Sequence, residues 1–146
     1  MNKCTQLLAT AALAIACQGL SAATEGDSLP SVCNVVWTSP SKDSSGSMPL
    51  GNGDIGLNVW VEGGGDLLLY VGKTDSWDEN SRLLKLGRLR LQFSHNPFSA
   101  GKPFRQVLRT EEGAIEIAAG QDGRELRVRL WVDANRPVVR IETEGT

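Results

Sequence analysis

Four acidic residues stand in polar, loop-like segments where a carboxylate could work as a catalytic acid or base: Asp54, Asp75, Asp78 and Glu79. Hydrolysis of a glycosidic bond uses two such groups, one to protonate the leaving oxygen and one to attack the sugar or activate water. Because the chain has 17 acidic residues among 146, a loop position alone does not identify such a pair. We therefore predict no catalytic residue in this chain.

Other catalytic or metal-binding chemistry lacks residues that it would need. The single histidine, His95, has no nucleophile elbow of the Gly-x-Ser-x-Gly type to serve. Cys33 has no recognisable protease context, so we interpret it as a small buried apolar residue. Clusters of His and Cys and the EF-hand pattern are missing from the sequence, which predicts no metal and no cofactor. A single calcium ion held by Asp and carbonyl oxygens stays an open alternative.

The most unusual local sequence is the run Pro49–Gly56, PLGNGDIG, which is followed by Gly72–Trp77, GKTDSW. Glycines permit positive φ angles and close backbone approach, while Asn and Asp bond their own backbone. No lysine-serine pair and no helix follow the glycines, so the run is neither a phosphate loop nor a dinucleotide-binding turn. It predicts a tight, shaped turn that enters a β-sheet.

The first 23 residues are typical of a secretory signal peptide. Lys3 supplies a weak positive start, Leu7–Ala16 an apolar segment, and Ser21–Ala23 the small residues that a signal peptidase needs. We therefore expect a secreted or periplasmic protein and assign residues 24–33 to a short tether. Alternatively, a loose lipobox ends at Cys17, whose lipidation would anchor the protein to a membrane.

The charge of the chain argues against one class of function. Its formal net charge is −2, and removal of the leader takes away one lysine and no acid, leaving 14 basic and 17 acidic residues. Nucleic-acid-binding domains carry a basic excess, so we expect no nucleic-acid partner. The remaining residues, 34–146, are enough for one domain with a substantial core.

Alternating and β-branched runs predict an all-β, antiparallel domain. Short, turn-rich segments separate the runs and helical periodicity is almost absent, which indicates a β-sandwich with up to nine strands. We predict a loop, or a loop with one helical turn, over Gly72–Arg82 and a half-buried strand from Leu86 onward. The predicted strands are Cys33–Thr38, Ile55–Glu62, Leu67–Val71, Leu86–Phe93, Pro103–Thr110, Ala114–Ala118, Leu126–Val132 and Val138–Thr143.

Arginines and one tryptophan occupy the polar side of the strand Leu126–Val132. Arginines in such a row most often face carboxylates on neighbouring strands, where Glu116 and Glu142 are available. Trp131 is the exception, because an exposed ring among charges can be a sugar platform or a contact for another domain. Trp60, in an apolar strand, is expected to be buried.

Several of these segments together resemble a known family. They are similar to the N-terminal β-sandwich domain of the family ninety-five glycoside hydrolases, which are α-L-fucosidases and their relatives. A late segment, Trp131–Pro137, makes the chain resemble even more closely an uncharacterised bacterial domain family of unknown function, found in front of similar hydrolase domains. The resemblance covers most of residues 34–143 and lies mainly in Trp37, Pro40, Met48–Gly56, Lys73–Trp77 and Asp78.

This resemblance implies a galactose-mutarotase-like β-sandwich that packs beside an (α/α)6 barrel, with the barrel supplying the acid and base for inverting hydrolysis. Nothing in the sequence matches the barrel, and the sandwich of those proteins is longer, so we expect an incomplete sandwich in a truncated chain. Carried over by position, the loops that face the barrel or a carbohydrate at its mouth would be formed by Asn52, Asp54, Lys73, Asp75 and Trp77.

Two functions from different classes follow. The first is a non-catalytic sandwich region of a secreted glycoside-hydrolase-like protein, which supports a carbohydrate-active site built by the barrel. The alternative is a free-standing carbohydrate-binding or adhesion module, with Trp77 and Trp131 as the better stacking platforms. A sandwich that merely packs on a neighbour explains the same glycines and tryptophans. An incomplete sandwich should also expose a strand edge and apolar surface, which predicts self-association of the isolated chain.

Overall fold

The computed structural model describes residues 33–99 and 101–145, which form two antiparallel β-sheets around one hydrophobic core. The predicted all-β sandwich is confirmed. The described residues include one short 3-10 turn, Ser44–Gly46, and none of their helices is long and apolar enough to span a bilayer. The predicted leader and the tether as far as residue 32 lie outside the described residues.

Nine strands are divided between the two sheets. In chain order they are β1 Val35–Trp37, β2 Met48–Gly51, β3 Ile55–Val61, β4 Asp66–Trp77, β5 Leu83–Gln92, β6 Phe104–Arg109, β7 Ala114–Ala119, β8 Leu126–Val132 and β9 Val139–Gly145. The four-stranded sheet has the order β2-β3-β4-β5, and the five-stranded sheet has the order β1-β6-β7-β8-β9. Most strands therefore pair with their neighbours in sequence, which explains why short turns suffice to connect them.

The core lies between the sheets because the strands turn alternate apolar residues inward. Val59 and Val61 of β3 are fully buried and belong to one cluster with Ile117 of β7 and Leu130 of β8. One buried polar side chain crosses this layer, since Gln106 Nε2 donates a hydrogen bond to the carbonyl of Val59 at 3.3 Å. Apolar packing and this buried hydrogen bond therefore hold the two sheets together in the core.

The hairpin of β4 and β5 departs most from the predicted strands. The prediction of a loop over Gly72–Arg82 is wrong for Gly72–Trp77, because β4 continues to Trp77, and is confirmed for residues 78–82, which form the turn before β5 begins at Leu83. Register shifts on both sides of Gly72 show that the pairing is irregular there. We call residues 73–89 of this hairpin the arm.

The prediction that β5 is half-buried is also wrong for most of the strand. Leu89 pairs with the buried Leu69 and points to the core side, yet it is 49% exposed because the five-stranded sheet does not cover it. Leu83, Leu84 and Leu86 are between 47% and 56% exposed. The arm therefore carries a row of leucines in contact with solvent.

Two single-residue predictions have opposite outcomes. Cys33 is exposed, so its interpretation as a buried apolar residue is wrong. Trp60 is only 2% exposed, as predicted, although it lies outside the main core cluster. Its ring packs against Tyr70, with ring centres 4.9 Å apart. Aromatic packing therefore also occurs on the outer side of the four-stranded sheet.

Candidate functional site

The glycine-rich turn between β2 and β3 is organised by the side chain of Asn52. Its Oδ1 accepts hydrogen bonds from the backbone N–H groups of Asp54 at 2.9 Å and Ile55 at 2.8 Å. Gly53, between them, has a φ of 91°, a conformation that favours glycine. The predicted tight turn is confirmed, and Asn52 braces it from inside.

Asn52 also joins this turn to the other sheet. Its Nδ2 donates to the carbonyls of Asp133 at 2.8 Å and Arg136 at 3.3 Å, in the loop after β8. The Asp133 carboxylate accepts a hydrogen bond from the backbone N–H of Asn135, and this bond and Arg140 lower its pKa. Two segments 81 residues apart are therefore connected at one corner of the sandwich.

A lysine between two carboxylates links the start of β3 to the arm. Lys73 Nζ lies 2.6 Å from Asp75 Oδ2 and 3.0 Å from Asp54 Oδ1, and the backbone N–H of Thr74 donates to the Asp54 carbonyl. Hydrogen bonds to Asp75 and then to Asp54 raise the pKa of the Lys73 amine, and Lys73 lowers the pKa of Asp75. We call these three charged residues the triad.

The triad and Asn52 thus lie at the same end of the four-stranded sheet. Four of the five loop residues expected from the resemblance are brought together by the fold. A general acid for glycoside hydrolysis needs a raised pKa. Because the pKa of Asp75 is lowered, this carboxylate is ionised at neutral pH and suits charge pairing, not proton donation.

The fifth expected residue, Trp77, lies at the tip of β4 and is 57% exposed. Its indole N–H donates to the carbonyl of Thr74 at 2.6 Å. The following Asp78 accepts hydrogen bonds from the backbone N–H groups of Arg82 and Asn80 and from Arg82 Nε. These bonds, led by that of the Arg82 N–H, lower the pKa of Asp78. Asp78 therefore has a structural role, because it holds the turn at the tip of the arm.

Trp131 belongs to the other sheet and lies on the outer side of β8. It is half-buried, and the guanidinium of Arg129 stands 5.4 Å from its ring centre. Arg129 pairs in register with Glu116 and Glu142 and donates to Glu112 at 3.0 Å. The expectation that this arginine row faces carboxylates is thus confirmed for Arg129, whereas a sugar platform at Trp131 stays a prediction.

The sequence reading missed a row of three glycines that crosses the four-stranded sheet. Gly51 pairs with Gly56, and Gly56 pairs with Gly72, on three adjacent strands. Their neighbours Leu57 and Val71 belong to or pack on the core, so the row lies on the outer face. Three side chains are therefore missing side by side, and the sheet backbone is bare at this point.

An open cleft of about 580 Å³, which we call the glycine cleft, lies over this row of glycines. Its wall includes Tyr70, whose ring has Lys85 Nζ at 4.1 Å from its centre. Leu83 and Leu84 of the arm line another side. Polar groups in the lining come from Asp54, Asn58, Lys73, Thr74 and Lys85. The arrangement can offer a flat backbone floor, hydrogen-bond donors and acceptors, and an apolar side wall to one ligand.

Metal binding is not suggested by this geometry. Within residues 33–99 and 101–145, no group of three His, Cys, Asp or Glu side chains is placed to hold a metal ion. Both carboxylates of the triad already form ion pairs with the Lys73 ammonium. The geometry of the site therefore suits a binding or docking surface.

Comparison with known proteins identifies the domain family. A family model named DUF5703_N, a domain of unknown function (DUF5703), matches residues 36–146. No curated protein matches the chain. The match covers most of the sequence, and the chain belongs to the DUF5703_N family. The expected likeness to a domain family of unknown function is thus confirmed, while the link to glycoside hydrolases stays a prediction.

Proposed function

We propose that this DUF5703_N domain is a non-catalytic β-sandwich region of a secreted glycoside-hydrolase-like protein. In this role it supports a carbohydrate-active site that an adjoining (α/α)6 barrel builds. The observation that carries the proposal is the exposed apolar row of the arm, which lies beside the ion-paired triad. The two features together have the composition of a docking face for another domain.

The apolar row is large for a surface that meets only water. Trp77, Leu83, Leu84 and Leu86 are each between 47% and 57% exposed. Burial of apolar surface is favourable by about 25 cal/mol per Å², and exposed apolar patches mark interaction sites. The triad adds charged groups at the edge of this row, where Leu83 and Leu84 line the same cleft as Asp54 and Lys73. An apolar centre with a polar rim is the usual anatomy of a protein interface.

The carboxylates of this face support the non-catalytic part of the proposal. Asp75 and Asp78 are two of the four acidic candidates that the sequence places in loops, and both have lowered pKa values. Asp75 is paired with Lys73, and Asp78 is held by backbone N–H groups. A glycosidase pair needs one carboxyl group that keeps its proton at the working pH. Neither Asp75 nor Asp78 suits the proton-donating role, which in this proposal belongs to the barrel together with the second carboxylate.

The proposal is tested on the protein made from its native gene with a tag in this domain. We expect mass spectrometry to find an (α/α)6 glycoside hydrolase region in the same polypeptide or in a stable complex. Lysine cross-linking should join Lys73 or Lys85 to that region. Leu86→Glu should lower the cross-link yield, while Val138→Glu, at a residue 40% exposed but outside the arm, should not.

Two results would contradict the proposal. One is a native product that contains no such helical region and binds none. The other is hydrolysis of aryl glycosides by the purified chain with the turnover of an ordinary glycosidase.

The free-standing carbohydrate-binding module is the second candidate, and one observation favours it. Trp77 is 57% exposed at the tip of the arm, whereas Trp131 is half-buried beneath Arg129. Aromatic rings exposed in this way can stack on sugar rings. If Trp77 is a platform, affinity-gel binding to polysaccharide should be abolished by Trp77→Ala and kept by Trp131→Ala. An absence of binding to any polysaccharide would count against this candidate.

A further inference from the structure

Among the residues that the structure describes, nothing requires glycine at two of the positions under the glycine cleft. A Cβ built on Gly56 meets nothing within 4 Å, and one built on Gly72 meets only the carbonyl of Gly56 at 4.0 Å. Neither residue has the positive φ that would favour glycine. Glycine weakens the interior of a strand, because it loses more freedom on folding and adds no packing. A Cβ would fit at both positions, and the fold of the described residues gives no reason to avoid one.

At other positions the fold itself requires glycine. A Cβ on Gly51, in the same row, would lie 2.8 Å from the carbonyl oxygen of Ile55. Gly120 has a φ of 94°, and its Cβ would lie 2.1 Å from the carbonyl of Arg124. Gly56 and Gly72 lack both kinds of restriction. Bare backbone inside a strand often marks a place where a ligand or another backbone approaches closely.

The floor that these glycines form has the size of one sugar ring. Strands lie about 4.8 Å apart, so three glycines in register span roughly 10 Å across the sheet. Along each strand, residues on one face recur about every 7 Å, which sets the width of the floor. Tyr70 and Asn58 lie on the next row of the same face, since they pair with each other across β3 and β4. They close one long side of the floor.

The groups around the floor can both donate and accept hydrogen bonds. Among the described residues, the Tyr70 hydroxyl has no hydrogen-bond partner, and its ring is fixed between Trp60 and Lys85. Asn58 donates through Nδ2 to Ser47 and keeps its Oδ1 as an acceptor. The Asp54 carboxylate is a second acceptor at the opposite end. Sugar hydroxyls, which donate and accept at once, match such a mixed rim better than an apolar side chain would.

We propose that the glycine cleft binds one pyranose residue of a glycan, lying flat on the backbone of Gly56 and Gly72. The hydroxyls of the sugar bond to Tyr70, Asn58 and Asp54. Every group that makes the site belongs to this chain, so binding requires no barrel and can be measured on the chain alone, although Leu83 and Leu84 of the arm also line the cleft. The site also differs from a tryptophan platform, because Trp77 does not line the cleft.

The test fills the floor without disturbing the fold. The purified chain is applied to a glycan array with neutral and uronate-containing oligosaccharides, and the best ligand is titrated by calorimetry. Gly56→Val and Gly72→Val place a β-branched side chain where a Cβ meets no described atom closer than 4.0 Å, and valine favours strands, so both variants should fold at least as well as the wild type. Each should weaken binding by about tenfold or more. Gly87→Val is the matched control, because its Cβ also meets nothing within 4 Å but lies outside the cleft, and it should bind as the wild type does.

Tyr70→Phe and Asn58→Ala provide a second measurement that does not depend on the glycine variants. Both should weaken the same ligand and leave the melting temperature nearly unchanged. The proposal is overturned if the wild type binds no glycan, or if both floor variants bind as tightly as the wild type. Loss of binding in Trp77→Ala alone would assign the ligand to the arm and would also overturn it. A failure here leaves the cross-linking test of the arm unaffected, so the two proposals can fail separately.

Discussion

Asn52 connects the two sheets through one side chain. Two of its hydrogen bonds shape its own turn, and two reach the carbonyls of Asp133 and Arg136. The resemblance placed Asn52 in one motif and Trp131–Pro137 in another, and the fold brings the two motifs into contact. Part of what makes these motifs distinctive is therefore structural. An Asn at this position can satisfy four backbone groups, which no apolar residue could do.

Replacement of Asn52 should therefore destabilise the sandwich. Asn52→Ala removes both the turn bonds and the bonds to the loop after β8, and we expect a loss of about 2–3 kcal/mol in the free energy of unfolding. Asn58→Ala is the control, because the exposed Asn58 makes one hydrogen bond, to Ser47, and should lose less than about 0.5 kcal/mol. Urea unfolding measures both values. Equal losses for the two variants would contradict this role of Asn52.

The charged residues predict how stability depends on pH. Asp75, Asp78 and Asp133 have pKa values below the ordinary 3.8, so the unfolded chain binds more protons than the folded chain in acid. Their contribution is complete above the unfolded pKa and is lost as the pH falls through the folded values. Lys73 has a raised pKa, above the ordinary 10.5. Its contribution is complete below that value and is lost as the pH rises through the folded pKa.

Lys73→Met separates these effects. The variant removes the partner of Asp75, so the fall in melting temperature below about pH 4 should become shallower. The loss of stability near pH 10.5 and above should also become smaller, because the raised pKa is gone. Melting temperatures of both proteins from pH 2.5 to about 11 provide the measurement. Profiles of identical shape would show that the triad does not contribute to stability.

At the scale of elements, the sequence predicts strands well where burial imposes a pattern. In β8, Val128 and Leu130 are buried while Arg127 and Arg129 are exposed, and this alternation is visible without a structure. The outer half of β4 has no such pattern, because its side chains lie outside the core. Residues 72–77 therefore look like a loop, although they continue a strand. The pattern of apolar and polar residues predicts strands with a buried face, and it says little about strands whose side chains face solvent or a partner.

The glycine row could have been found from the sequence with one more step. The predicted strands Ile55–Glu62 and Leu67–Val71 are separated by a short glycine-rich segment. Pairing Val61 with Leu67 across it and continuing that register places Gly56 opposite Gly72. The predicted turn at Asn52 likewise places Gly51 opposite Gly56. Local sequence rules treat each of these glycines as a turn former. Their alignment is a property of paired strands, so it becomes visible only when register is considered.

The hairpin of β4 and β5 should have two parts that differ in local stability. Leu67, Leu68 and Leu69 are completely buried, whereas the arm has exposed side chains on β5 and irregular pairing near Gly72. Amide protons of the arm should exchange with solvent much faster than those of residues 67–69, because local opening exposes little additional apolar surface there. Hydrogen exchange followed by mass spectrometry resolves the two segments. Equal protection along β4 would show that the arm is stabilised by contacts beyond the pairing described.

At the scale of the whole molecule, the two sheets do not cover each other completely. β5 forms one edge of the four-stranded sheet, and Leu89 faces the core side of that sheet but remains half exposed. The sequence predicts an exposed edge and apolar surface, and both are present in the described residues. Which molecule covers that surface could not be predicted. Exposed leucines mark an interaction site, but they do not identify the partner that buries them.

The isolated chain should therefore self-associate, and salt should strengthen the association. Leu83, Leu84 and Leu86 favour contact between copies. Lys85 and Arg88 lie on the same strand, so two β5 edges that approach each other bring like charges together. Screening at high ionic strength weakens this repulsion while the apolar attraction persists.

Sedimentation velocity should show a larger oligomeric fraction at 1 M than at about 0.1 M salt. Leu86→Lys should shift the chain toward monomer at both, whereas Val138→Lys should leave the distribution unchanged. A monomer at all protein concentrations, or oligomers that dissociate as salt is added, would mean that the exposed leucines of the arm do not drive association.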